Sequence, residues 1–565
     1  MKRAFINGKF YLSEGNFAQA VISENGVFTH VGTDNDIRAL AAGCEIIDMG
    51  GRTVLPGFND SHLHLYNVGV MRSSLNMMDV TSIKDCITAG RDYIAKKGIS
   101  PGRPVFGRGW NQDYFTDYRR PLNRHDLDEI STEHPIIATR ACGHLATVNS
   151  PALKLAGITR DTPDVPGGEI RKDSSGEPTG VLTENALALL DSLIPTPTAQ
   201  DMAATIKTAM EYATSHGITS VQTNDLRNEN WRTMLEAYNL VYSRGEGSLR
   251  TYHQCCFTDI DGLHGFIAAG QKMGQGDDMH KIGPIKMFVD GSLGAHTAAM
   301  RSPYKDDPST TGVYCMTEKQ LSEMVKTAND AGFGCVIHAI GDGAIDMVLT
   351  AYEKITAGNS NKLRHGIIHC QITDLPLLER FRKTDVLALV QPIFLHYDMK
   401  VVESRVGKEL AATSYAFNTM DKLGINTSYG TDAPIEDLNT MNNIHCAVNR
   451  QDLKGEPTGG YYRNRVVSKS RMSGSKIPLL PAILKPQRQF RYNSNECVSL
   501  SRAIDNYTIG SAYASFEENK KGRIAPGFLS DMCVLNKDIF SIDPSEIMSV
   551  RADMTILGGE VVYSI

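Results

Sequence analysis

Several familiar signatures are missing from this 565-residue chain. It contains no run of 18 apolar residues, which argues against a membrane-spanning segment. Its 11 cysteines are scattered, with Cys255 and Cys256 adjacent and no Cys-x-x-Cys pair. This excludes the usual disulfide framework and thiolate zinc site and suits a reducing cytoplasm. The first residues, MKRAFINGKFYLSEGN, carry two basic side chains but no continuous apolar segment of a secretory leader; Asn7-Gly8 reads instead as a hairpin turn between short strands. Positive charge is not in excess: 58 Lys+Arg against 64 Asp+Glu leave a formal charge of −6, with basic residues gathered only near 464 to 491. Nucleic acid and membrane are therefore not expected partners, and the expected location is cytoplasmic.

What is present divides along the chain. At 565 residues it exceeds what one core accommodates, so a large central domain with smaller ones is expected. Residues 1–55 hold short alternating runs broken by Gly and Asn, and the end from Gly522 has the same texture; the two ends, 1–55 with 516–565, are read as one composite β-sandwich. Between them, 56–515 alternates strands and helices as a parallel α/β fold does. Thr317 to Ala331 has helical periodicity, stops at Gly332 and leads into the apolar run Cys335-Val336-Ile337 before His338.

The segment PGFNDSHLH, residues 56 to 64, follows the β-favouring run Thr53-Val54-Leu55. Side chains i and i+2 share one face of a strand, so His62 and His64 form half of a divalent-metal site. Alone, such a pair also occurs as surface or hydrogen-bonded core histidine. Other polar residues repeat the placement at the carboxyl end of an apolar strand: His338, His369 after Gly366-Ile367-Ile368, and Asp432 after Asn426 to Gly430. His369 follows His338 by 31 residues and Asp432 follows His369 by 63, one and two units of a (β/α)8 barrel. Lys286, inside GPIKMFVD, belongs to the strand before His338; Arg250 to Cys256 and Ile218 to Thr223 supply the third and second strands. The excess between the first and second strands predicts an inserted subdomain over 70–205, and the basic, proline-containing stretch 454–495 reads as a long loop.

The ordered set His-x-His, Lys, His, His, Asp, with GRGWNQ, GHLATVNSPAL, HAIGDGAI, LRHGIIHCQ and GTDAPIED, resembles the amidohydrolase superfamily, in its amidohydrolase-3 branch, over nearly the whole chain. The resemblance implies a TIM-like barrel in which His62, His64 and Asp432 bind one metal, His338 and His369 a second, and Lys286 bridges them as a carbamate; a mononuclear site with unmodified lysine stays open. The expected cofactor is zinc, one or two ions per chain. It implies hydrolysis of a C–N bond, in an amide or N-substituted formamide, by hydroxide formed at the metal, with Asp432 carrying the proton. Trp110, His144, Asp290 and Arg364 match family segments near the pocket and are expected to orient substrate, although packing is the commoner use of a tryptophan such as Trp110. The competing activities are cyclic amidine deamination and cyclic amide or ester hydrolysis; a reading of another class is a non-catalytic regulatory or binding protein that retains the fold. The expected partners are a small amide-like substrate and a second copy of the chain in a homodimer.

Overall fold

The computed structural model describes residues 2–565 except 79, 142–143, 194–195, 357–359 and 456–490, so most of the 454–495 stretch lies outside the described residues. The chain divides into two units, one made of 1–65 with 209–565 and the other of 66–208.

The first unit is built on eight parallel strands: β1 Phe58–Leu63, β2 Ile218–Thr223, β3 Arg250–Cys256, β4 His280–Phe288, β5 Cys335–Ala339, β6 Gly366–His369, β7 Leu387–Val390 and β8 Thr427–Tyr429. Seven adjacent pairs carry the parallel ladder, from β8–β7 round to β2–β1. This is the expected (β/α)8 barrel. Local chemistry sets its units: the helix Glu318–Asp330 starts from a capping box between Thr317 and Gln320, and Leu321, Met324, Val325 and Ala328 put one apolar face into the core.

Between β8 and β1 the ladder gives way to specific bonds. Asn59 N–H donates to Tyr507 O at 2.9 Å, Asp432 N–H to His62 O at 2.8 Å, and His64 N–H to Ala433 O at 2.8 Å. The buried Asp60 carboxylate accepts the Thr431 hydroxyl at 2.7 Å and its N–H at 3.1 Å. The two segments approach so closely that a Cβ on Gly430 would stand 2.6 Å from His62 N.

Both chain ends meet in the same unit. Met532–Leu535 pairs antiparallel with Thr53–Pro56, aligning Val534 with Val54, in a six-stranded sheet beside a four-stranded one. Phe5, Phe10, Val21, Phe28, Val54, Met532, Val534 and Ile556 fill one core. The hairpin read at Asn7-Gly8 is not formed. Lys2–Ile6 joins the four-stranded sheet and Lys9–Ser13 the six-stranded one, so the turn carries the chain between sheets. Gly8 N–H bonds to Gln19 O, and a Cβ there would lie 2.5 Å from the Phe10 ring.

The second unit has its own mixed six-stranded sheet, including Val105–Trp110, Ile136–Arg140 and Pro178–Glu184. Its helix Ile83–Lys97 runs from the Ser82 N-cap to Gly98, whose φ of 58° ends it in a left-handed turn. Among the described residues, no helix is long and apolar enough to cross a membrane.

Candidate metal centre

The site is assembled from the ends of β1, β4, β5, β6 and β8. His62, on β1, and His64, one residue beyond it, direct Nε2 to 3.3 and 3.2 Å from the same atom, Asp432 Oδ1. Ligand atoms of these three residues lie within 4.8 Å of one another. The His369 ring is 5.8 Å from that of His62 and 4.4 Å from that of His338. His369 has φ 81° and Asp432 φ 57°, left-handed backbone that non-glycine residues adopt at a cost of about 1–3 kcal/mol and that recurs at functional sites. Lys286, on β4, is fully buried; its Nζ lies 4.6 Å from the centre of the Phe288 ring and has no hydrogen-bond partner among the described residues.

Hydrogen bonds on the far side of the His62, His369 and His338 rings set their tautomers. His62 Nδ1 lies 2.6 Å from Gln254 Oε1, while Gln254 Nε2 donates to Ser61 O at 2.9 Å. Because the amide nitrogen is used on Ser61, the oxygen faces the ring, so Nδ1 carries the hydrogen and Nε2 the free lone pair. The device recurs at His369: Nδ1 is 2.7 Å from Gln391 Oε1, and Gln391 Nε2 donates to Leu389 O at 3.2 Å. His64 Nδ1 faces Asn224 O at 3.3 Å. His338 is held in the opposite sense, with Nε2 3.1 Å from Gly291 O, leaving Nδ1 free.

The His62 tautomer aims its Nε2 lone pair at the carboxylate oxygen that His64 Nε2 also faces, an acceptor–acceptor contact that a cation between them would turn into ligation. Among the described residues Asp432 Oδ1 has no hydrogen-bond partner, and neither has buried Lys286 Nζ. Imidazole nitrogen and carboxylate oxygen suit zinc and similar divalent ions, so the residues fit a metal. Electrostatics agree. Burial with the nearby Lys286 charge lowers His62 to about 4 and His338 to about 3, keeping them neutral donors. Burial brings Lys286 down to about 8.

The remaining expected residues are placed differently. Asp290 is beside the site, its Oδ1 3.4 Å from His338 Nε2, but its carboxylate accepts the N–H groups of Ala299, Ile340 and Gly341, so it ties the loops after β4 and β5 together. Trp110 is fully buried in the second unit's core and donates its indole N–H to Ala138 O at 3.0 Å. His144 is an exposed partner of Glu184 at 2.9 Å. Arg364 lies at the amino end of β6, opposite His369, where it pairs with Glu518 and stacks on Tyr513 and Phe516. Gln254 and Gln391 were not singled out from the sequence. The available signal was a glutamine within or just beyond each of two buried barrel strands.

A buried cluster of imidazoles and a carboxylate at the carboxyl end of a parallel eight-stranded barrel is the architecture of a metal-dependent hydrolase. The model of the amidohydrolase family matches residues 45–563, and the chain belongs to that family. It is 31% identical to the putative amidohydrolase YtcJ of Bacillus subtilis (strain 168), covering 100% of this chain and 99% of the relative. It is 25% identical to the N-substituted formamide deformylase of Arthrobacter pascens, over 97% of this chain and 95% of the relative. The crystal structure of an uncharacterized metal-dependent hydrolase from Pyrococcus horikoshii OT3 superposes with a TM-score of 0.75 at 26% identity, covering 96% of this chain and 99% of that chain.

Proposed function

We propose that this hydrolase cleaves the C–N bond of an amide or N-substituted formamide. The observation that carries the reading is the pair of imidazoles, His62 and His64, converging on Asp432 Oδ1, which has no other partner among the described residues. In this reading His62, His64 and Asp432 would hold one zinc ion, His338 and His369 would hold a second, and Lys286, as a carbamate, would supply oxygen ligands to the pair. Bound metal supplies Lewis acidity and acidifies water from a pKa of about 15.7 toward about 7. Asp432 is ionised at neutral pH and takes the proton of the attacking water on its carboxylate, then returns it to the leaving nitrogen. Gln254 and Gln391 keep His62 and His369 from rotating during these transfers. The name of the Arthrobacter relative favours a formamide over the other C–N substrates.

The test is a screen of formamides, acyl amines, cyclic amides, cyclic esters and aminopyrimidine-like rings with zinc- and manganese-loaded protein. Turnover of formamides or acyl amines, lost in His338→Ala, supports the proposal. Selective turnover of the rings moves the reaction to deamination or ring opening. No turnover by a metal-loaded protein points to a binding role for the fold.

A further inference from the structure

The barrel carries a second concave site, toward the amino-terminal ends of β3 and β4. A cavity of about 500 Å³ opens there, walled in part by Tyr252, Met273, Asp277, Lys281 and Phe516. Tyr252 is the third residue of β3 and Lys281 the second of β4, whereas Lys286 lies toward the other end of β4. None of the metal-ligand candidates lines this cavity. Tyr252 is only 3% exposed, yet its hydroxyl has no hydrogen-bond partner among the described residues. Burial, and after it the Glu517 charge, push that hydroxyl up, so it stays protonated and able both to donate and to accept.

The charges around the cavity narrow its ligand. Lys281 and Lys521 share Glu517, and Lys520 donates to Asp278 at 2.8 Å, so the lining lysines are already matched and leave no cation for an anionic ligand. Asp277 has no cationic partner among the described residues. Its Oδ1 accepts the N–H groups of Met279 at 2.7 Å and His280 at 3.0 Å, which orients the carboxylate and leaves Oδ2 unbonded by any described residue. Part of the wall is apolar. Met273 lines it, and the Phe516 ring, 41% exposed, rests on the Arg364 guanidinium at 4.1 Å. An aromatic side chain that exposed beside a cavity offers a stacking surface.

We propose that this cavity binds a small organic ammonium ion bearing an aryl group. The ammonium donates to the Asp277 carboxylate and to the Tyr252 hydroxyl, and the aryl group packs on Phe516 and Met273. An amine of this kind is also what C–N cleavage of an N-substituted amide leaves behind, and its binding here is measurable without turnover.

2-Phenylethylammonium, 3-phenylpropionate and 2-phenylethanol share one aryl group and differ in charge, and they are the probes in calorimetric titrations of the full chain. Wild type is expected to bind the ammonium, with the acid and the alcohol weaker by about 10-fold or more. Asp277→Asn keeps an oxygen for the Met279 and His280 N–H groups but loses the charge, and should weaken the ammonium about 10–100-fold. Tyr252→Phe should weaken it about 3–10-fold. Asp277 is exposed, so its variant tests the site even where Tyr252→Phe is less stable. His62→Ala, altered at the metal centre alone, is expected to match wild type. No binding by wild type, equal binding of the acid, or full affinity in both Asp277→Asn and Tyr252→Phe overturns the site. Loss of binding in folded His62→Ala also overturns it, because the amine then sits at the metal centre.

Discussion

Gln254 Oε1 sits 2.6 Å from His62 Nδ1, and the same amide is pinned by its nitrogen to Ser61 O. The histidine is thereby oriented before any ligand arrives, and Gln391 does the same for His369. Replacing Gln254 or Gln391 with methionine keeps the volume but removes the acceptor. Metal affinity in chelator competition is expected to fall about 10–100-fold while circular dichroism is unchanged; Gln254→Glu, which still accepts the Nδ1 hydrogen, should retain most of the affinity.

Thr431 closes the barrel through its bonds to the buried Asp60 carboxylate. Thr431→Val keeps the shape and removes one donor from that carboxylate. Urea unfolding should show a loss of about 1–3 kcal/mol.

Asp398 gives a pH test away from the metal ligands. Burial pushes its carboxyl up to about 6 from 3.8, against the hydrogen bond from Tyr415 at 2.6 Å. A raised folded-state value means that the native chain holds this proton more tightly than the unfolded one between about pH 4 and 6. Its contribution is therefore fully present below about pH 4 and is lost as pH rises through 6. Asp398→Asn cannot ionise, so its stability relative to wild type should increase from pH 4 to pH 7 in parallel urea titrations.

Trp110 and Arg364 test packing against substrate contact. Trp110→Phe loses the bond to Ala138 O and Arg364→Met loses the pairing with Glu518. Both should lower the melting temperature with KM changed less than twofold. A KM effect without a stability effect would restore the substrate-orienting role expected from sequence.

Much of the fold was legible because a barrel repeats one rule. Each unit ends a strand at the same face, so His338, His369 and Asp432 fall at intervals set by unit length, and β2 and β3 coincide with Ile218 to Thr223 and Arg250 to Cys256. The composite sheet was visible in matching β-texture at both ends. What sequence position could not convey was which neighbour a residue meets across strands. Arg364 lies five residues before His369, and because β6 is only four residues long, that places it at the opposite end of the barrel. Gln254 acquires its role only when β3 lies near β1, separated by 192 residues in sequence. Asn7-Gly8 has turn chemistry in either case; only the packing of the two sheets decides that it crosses between them.

The central claim is that His62, His64 and Asp432 hold a divalent metal that the reaction requires. The most direct measurement is elemental analysis, after exhaustive dialysis, of the full chain and of His62→Ala and Asp432→Ala, each assayed for formamide hydrolysis. Tightly held metal and turnover in the wild type, with both lost in folded variants, is the predicted result. Wild-type metal content and turnover in either variant would contradict it.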